Sequence, residues 1–239
     1  MKAPALLIGI FLLVLNQLAA QFSDIEATEL ALRRVANIRN AQQSNNRYAN
    51  AQGSPFLYED WRSGRLLLKG QDSIQSEVLI NLDLVSELVL VKLRDGSTGM
   101  ISPFSIQKVE IQGQAYLYRT FVVETEHRLL ENSNNRPVFC EVLYNGNLKL
   151  LRRIHKRMYQ PYATPYTISD GHWEIATIEM FWLQKADGKD YHRLKLNRRS
   201  IEKALPAHKN HIRQLSKQHQ LDLTQLPDLV RLMSLLDKI

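Results

Sequence analysis

PVFCEVLYNGNLKLL, residues 137–151, is the stretch that decides the fold. Two runs of apolar and aromatic residues meet at Asn145-Gly146, a dipeptide that tolerates the positive φ angles of a tight hairpin, so two antiparallel strands are predicted. The same punctuation recurs at Asp95-Gly96, Asp170-Gly171 and Asp187-Gly188, each with strand-like residues on at least one side. A chain that reverses this often predicts an antiparallel meander. Between the turns, VLINLDLVSELVLVKL (78–93) places Val78, Ile80, Leu82 and Leu84 on one face of a strand and Leu79, Asn81 and Asp83 on the other. Residues 88–93 are apolar on both faces, as in a strand covered on both sides. Further strands are expected near 106–112, 115–123, 174–184 and 190–196.

Helical spacing brackets this β region. Residues 24–43 set Ile25, Leu30, Leu32, Val35 and Ile38 at near-helical intervals behind Asp24 as a cap, and the polar stretch up to Pro55 reads as a linker. After Leu196, Asn197 is placed to cap RRSIEKAL, while Pro206 and Pro227 suit the first turns of two more helices. The expected fold is α+β and mainly antiparallel β: a curved meander sheet, a sandwich or a partial barrel, with an N-terminal helix and a C-terminal group of short helices. The expected divisions are 1–20, a signal peptide; 21–52, the first helix and linker; 53–196, the β domain; and 197–239, helices packed on it.

The signal-peptide reading rests on Lys2, the apolar run from Ala3 to Leu15 and the small pair Ala19-Ala20 before Gln21. An uncleaved anchor is the competing reading, since roughly 20 apolar residues can span a bilayer. The small-residue exit favours cleavage. An exported chain with a single cysteine forms no internal disulfide and depends on its core. Cys140, between Phe139 and Glu141, reads as a buried small hydrophobe.

Gly53-Ser54-Pro55 and Tyr58 lead through Trp61 to Gly64, with Asn81-Leu82-Asp83 shortly after. Later come FCEVLYNGNLKLL, an ADGK turn (186–189), a basic helix and Leu205-Pro206. In this order the chain resembles a group of exported proteins of Bacteroidetes type that carries no assigned activity. The resemblance covers most of 53–239 and implies a Gram-negative envelope; it supplies no catalytic residues. Tyr58 to Trp61 is then expected to be structural, with the Trp61 ring buried in one core with the 138–151 hairpin.

Chemistry-bearing constellations are few. His208 and His211 are three apart on an expected helix and His219 follows eight later, but HKNHIRQLSKQH is polar throughout and reads as a solvated face. His127, His155, His172 and His192 are scattered among strands. Gly96-Ser97-Thr98-Gly99 leads from one strand to another and so reads as a plain turn rather than a nucleophile elbow. Glu59 with Asp60, Glu124 with Glu126, and Asp187 with Asp190 are the near pairs of carboxylates; only Glu124 and Glu126 would share a strand face. Phosphate loops, dinucleotide fingerprints and CxxC pairs do not occur, and neither a metal nor another cofactor is expected.

The formal net charge of +7 is concentrated in LRRIHKRMY (151–159) and near the C-terminal helices. Arg152, Arg153, Lys156, Arg157, Arg198 and Arg199 are therefore the candidate anion-binding residues. Export argues against nucleic acid and for an envelope polyanion or a protein partner, with peripheral membrane contact as one form of it. The expected function is that of an exported, non-enzymatic binding protein of the periplasm, outer membrane or extracellular space. One alternative is a carrier or sensor holding an apolar ligand in a curved sheet lined by Tyr116, Tyr118, Phe121, Phe181 and Trp182. A second is a hydrolase whose site is assembled from distant strands. Intact-mass measurement on protein exported by its native host should give a chain beginning at Gln21; Met1 retained in a membrane fraction would contradict the signal-peptide reading.

Overall fold

The computed structural model describes residues 26–39, 48–70, 77–113, 118–125, 129, 136–161, 173–185 and 191–239. Twelve strands among them form a single sheet. A first helix, α1 (26–35), is followed by β1 (Asn37–Arg39) and β2 (Ala51–Gln52). Six strands continue the chain: β3 (Arg62–Leu68), β4 (Val78–Asp83), β5 (Leu88–Lys92), β6 (Thr98–Ile101), β7 (Ile106–Gln112) and β8 (Tyr118–Thr125). Then come β9 (Pro137–Asn145), β10 (Leu148–Tyr159), β11 (Trp173–Lys185) and β12 (Tyr191–Leu194), and three closing helices, α2 (Arg198–Ala204), α3 (Lys209–Gln218) and α4 (Leu226–Leu236). The spatial order is β1-β6-β5-β4-β3-β7-β8-β9-β10-β11-β12, with β2 pairing β11 off this path. Every pairing is antiparallel except β2 with β11, and the curved sheet does not close into a barrel.

Alternation along the strands assigns the core. Leu66, Leu68, Ile80, Leu82, Val89, Val91, Val109, Ile111, Phe121 and Phe139 fill one apolar cluster, with Leu32 and Val35 of α1 and Ala36 just after it against it. Leu148, Leu150, Phe181 and Leu183 point instead to the closing helices, meeting Ile201, Ile212, Leu229, Leu232 and Met233. Their immediate neighbours Leu151 and Trp182 face the other way, toward Val138, Cys140 and Leu129. The 148–151 and 180–183 stretches are thus covered on both faces. Asn197 caps α2, its side chain accepting from the Ser200 N–H at 2.9 Å, and Pro227 occupies the first turn of α4. Among the described residues no helix is long and apolar enough to cross a membrane.

Three expectations meet different physics. The helix expected over 24–43 is helical over 26–35, after which Ile38 pairs in β1 with Gly99 of β6. Hydrogen bonds to the free edge of β6 override the helical spacing there, and Leu30 of the expected stripe is exposed. The Asn145-Gly146 hairpin forms as expected, but Gly146 is not among the positive-φ glycines. A Cβ at Gly146 would collide with the Asp237 carboxylate, which accepts from the Asn147 and Leu148 N–H groups and from the Tyr144 hydroxyl. The end of α4 clamps this turn, and glycine makes room for the clamp.

The third difference concerns Trp61. It is half-buried and belongs to none of the three clusters, whereas Trp182 is fully buried and donates from Nε1 to the Leu129 carbonyl at 3.0 Å. Pro55 to Tyr58 nonetheless forms a structural border: Leu57 N–H donates to Leu82 O, Leu84 N–H to Pro55 O, and the Asn81 amide donates to the Tyr58 carbonyl. Denaturant unfolding should therefore show Trp182→Ala losing about 3–5 kcal/mol and Trp61→Ala about 1 kcal/mol; equal losses would contradict this assignment.

Candidate functional site

The longest pairing in the sheet runs from Leu148↔Lys185 to Tyr159↔Glu174, between β10 and β11. Neither neighbouring strand follows it to the end. On the β10 side, β9 pairs only as far as Glu141↔Arg152. On the β11 side, β12 pairs with residues 181–184 and β2 with Trp173 and Glu174. Beyond Arg152 and Phe181 the two strands therefore continue as a ribbon.

The inner edge of this ribbon rests on the turn after β4. Lys156 N–H donates to the Leu84 carbonyl at 3.2 Å, and Ile154 packs against the first cluster. Glu87, in the same turn, is buried and lies 3.0 Å from Arg153 Nη2 and 3.5 Å from His155 Nδ1, while its other oxygen accepts from Phe139 N–H at 3.3 Å. Asp83 shapes the turn, its Oδ1 accepting from the N–H groups of Val85 and Ser86.

The outer edge is different. Gly53, at φ +99°, turns the chain away from β2 and packs against the Ile175 carbonyl, too close for a larger residue to fit without strain. Phe181 is the first residue paired with β12. Between them, residues 176–180 have no strand on their outer side among the described residues. Thr177, Ile178 and Glu179 are exposed, Ile178 to 41 %.

The structure disperses the six candidate anion-binding residues. Arg152 is bound to Glu141, with Nη2 at 2.6 Å, and lies 3.7 Å from Glu179. Arg153 is only 2 % exposed and paired with Glu87, so it offers nothing to a surface ligand. The Lys156 amine donates to the carbonyls of Ser54 and Phe56 at 2.8 and 2.6 Å, and burial lowers its pKa. Arg157 alone of the β10 set is exposed with no partner among the described residues. Arg198 and Arg199 are exposed at the start of α2, Arg198 lying 3.8 Å from Glu202. Leu194, at the end of β12, is level with Phe181 and Arg152, so Arg157 lies five residues further along β10. The expected basic face is thus replaced by internal pairs and separate exposed cations. Strand alternation alone could not distinguish these outcomes, because it assigns a face but not what covers it.

His208 and His211 have ring centroids 6.3 Å apart, and the described residues contain no group of three or more side chains arranged to hold a metal ion. His192 is exposed. Ser97 donates to Asp95 Oδ1 within the turn before β6. Glu59 and Asp60 are exposed, while Glu124 is buried, accepting from the Tyr191 hydroxyl at 2.6 Å. Burial pushes the Cys140 thiol pKa up, as suits an inert core residue. His127, His172, Glu126, Asp187, Asp190, Tyr116, the Asp170 and Asp187 turns and residues 1–20 lie outside the described residues.

Glu141 carries the clearest electrostatic consequence. Burial alone would raise its pKa, but hydrogen bonds and charge from Arg119 and Arg152 outweigh burial and hold it below the ordinary value. Arg119 binds it bidentately at 2.7 and 2.9 Å and also donates to the Tyr58 hydroxyl. Comparison of the chain with family models, with curated proteins and with solved structures finds no match in any of the three.

A carboxylate with a depressed folded-state pKa stabilises the fold above its unfolded value, about 4.3, and that contribution is lost as pH falls through the folded value. Stability should therefore drop on acidification below about pH 4. Glu141→Gln, which leaves two arginines half-paired, should lose about 3 kcal/mol at neutral pH and show a shallower acid limb in urea unfolding. An unchanged acid limb would remove Glu141 from this account.

Proposed function

We propose that this chain is an exported, non-enzymatic binding protein that takes up a short extended segment of a partner protein as an added strand beside residues 176–180. The observation that carries the reading is the occupancy of the row next to β11: β2 lies at one end, β12 at the other, and among the described residues no strand covers the five residues between them. At 3.3 Å per residue that opening is about 16 Å long. Backbone N–H and C=O groups on such an edge are ready to pair with another chain, and main-chain hydrogen bonds give strand addition its affinity.

The bounded length selects the occupant. A second copy would bring a thirteen-residue β11 with its own β2 and β12 attached, and these would run into the two strands that frame the opening. A segment of about five residues that bends in and out meets neither. The contacts of Glu87 and Lys156 hold the ribbon in place beforehand, which limits the ordering cost of binding.

The carrier alternative has less in its favour. Phe121, Phe181 and Trp182, expected to line one cavity, belong to three separate packed clusters. A polyanion site built on the β10 run is weakened by the internal partners of Arg152, Arg153 and Lys156.

The test is to pan the mature protein, residues 21–239, against a displayed random peptide library and to measure amide hydrogen exchange of the complexes. Retained peptides should slow exchange at residues 176–180 while leaving the α3 and α4 amides unchanged. Retention without protection there would overturn the reading. So would a dimer in sedimentation that Ile178→Lys dissolves.

A further inference from the structure

We infer that the segment added at this edge is acidic, presenting a carboxylate to Arg157 and an apolar side chain, two residues away on the same face, to Ile178. This rests on the strand-addition reading and names the partner's chemistry. Residues directly opposite in an antiparallel pair share a face. Arg157 is opposite Ala176 and His155 is opposite Ile178, so Arg157, Ala176, His155 and Ile178 lie on one side of the ribbon.

Most charges near the opening are already committed. Arg153, opposite Met180, is bound to Glu87, and Lys156, opposite Thr177, is bound to two carbonyls. Glu179, on the other face, lies 3.7 Å from Arg152. Of the β10 cations beside the opening, Arg157 is the exposed one with no partner among the described residues, and the residue between it and the open edge is an alanine.

That small residue decides the geometry. With strands about 4.8 Å apart, an added strand would lie about 10 Å from β10. A long arginine stem can lean across one methyl group toward a carboxylate on that strand, keeping its head in water. A bulky residue at 176 would stand in the way. Two positions along, exposed Ile178 offers an apolar neighbour instead. The resulting pattern is an acidic and an apolar residue separated by one position. The overall charge of +7 works in the same direction, raising the encounter rate of acidic segments.

Two fluorescein-labelled peptides test this: Gly-Ser-Thr-Glu-Thr-Ile-Thr-Val-Ser-Gly, and the same peptide with lysine in place of glutamate. Anisotropy titrations with the mature protein should favour the glutamate peptide by about two- to fivefold at physiological salt, the range of an exposed ion pair. Arg157→Glu should reverse the order. Ala176→Ile should abolish the preference while amide protection at 176–180 persists with both peptides. Equal binding of the two peptides to wild type, unchanged by Arg157→Glu but still protecting 176–180, would overturn the acidic partner and leave strand addition standing. Failure of both peptides to protect that edge would overturn both.

Discussion

A buried ion pair between the turn after β4 and the middle of β10 holds distant parts of the curved sheet together. Glu87 and Arg153 are each 2 % exposed, and 66 residues separate them in the chain. Removing either partner from such a pair leaves an uncompensated buried charge, which is far more damaging than the pair itself is stabilising. Glu87 also adopts φ +54°, a left-handed conformation that costs on the order of 1–3 kcal/mol outside glycine. The surroundings impose it: Phe139 N–H and Arg153 fix the carboxylate, and Asp83, itself held by the Tyr48 hydroxyl at 2.7 Å, fixes the turn. Strain here serves position, because it aims a short side chain across the sheet.

Once this contact is made, the rest of the curvature follows. Leu84 accepts from Lys156 N–H, the Lys156 amine gathers the carbonyls of Ser54 and Phe56, and Ile154 joins the first cluster. The first cluster is packed with leucine, isoleucine, valine and phenylalanine, as suits a protein with one buried thiol. The proposed binding edge accordingly lies at the rim rather than in the interior. The ribbon of β10 and β11 has one edge held by the turn after β4, and on the other edge, among the described residues, no strand lies between β2 and β12.

Much of this architecture was legible in the sequence because its causes are local. Turn dipeptides and alternation located the hairpin of β9 and β10 and the strands β5, β7 and β11, and Asn197 and Pro227 marked the starts of α2 and α4. What failed had long-range causes. Ile38 leaves a helical pattern because β6 offers an edge, and Gly146 is a glycine because Asp237 reaches it from 91 residues away. The basic run of β10 read as a set of candidate anion-binding residues that alternation splits between two faces, yet its charges are further divided by partners at Glu87, Glu141, Ser54 and Phe56, none of which adjoins it in the chain. The open edge left no sequence signal beyond Thr177 and Glu179 breaking an apolar strand.

An open edge is ordinarily a liability, since any exposed strand can recruit its neighbours into aggregates. Natural sheets shorten, twist, charge or cover such edges. Here shortening is achieved without shortening the strand: β11 runs for thirteen residues, but Gly53 and β2 close one end and β12 the other. On the proposed reading, the two strands that leave room for a short flexible segment would obstruct a long rigid edge such as that of a second copy. Glu179 on one face and Arg157 on the other add charge beside the opening, which disfavours apolar self-association. On the proposed strand-addition reading, devices that protect an edge from the wrong partner would also define the right one: a segment about five residues long, able to bend at both ends, whose alternating side chains suit Ile178 and the cation beyond Ala176.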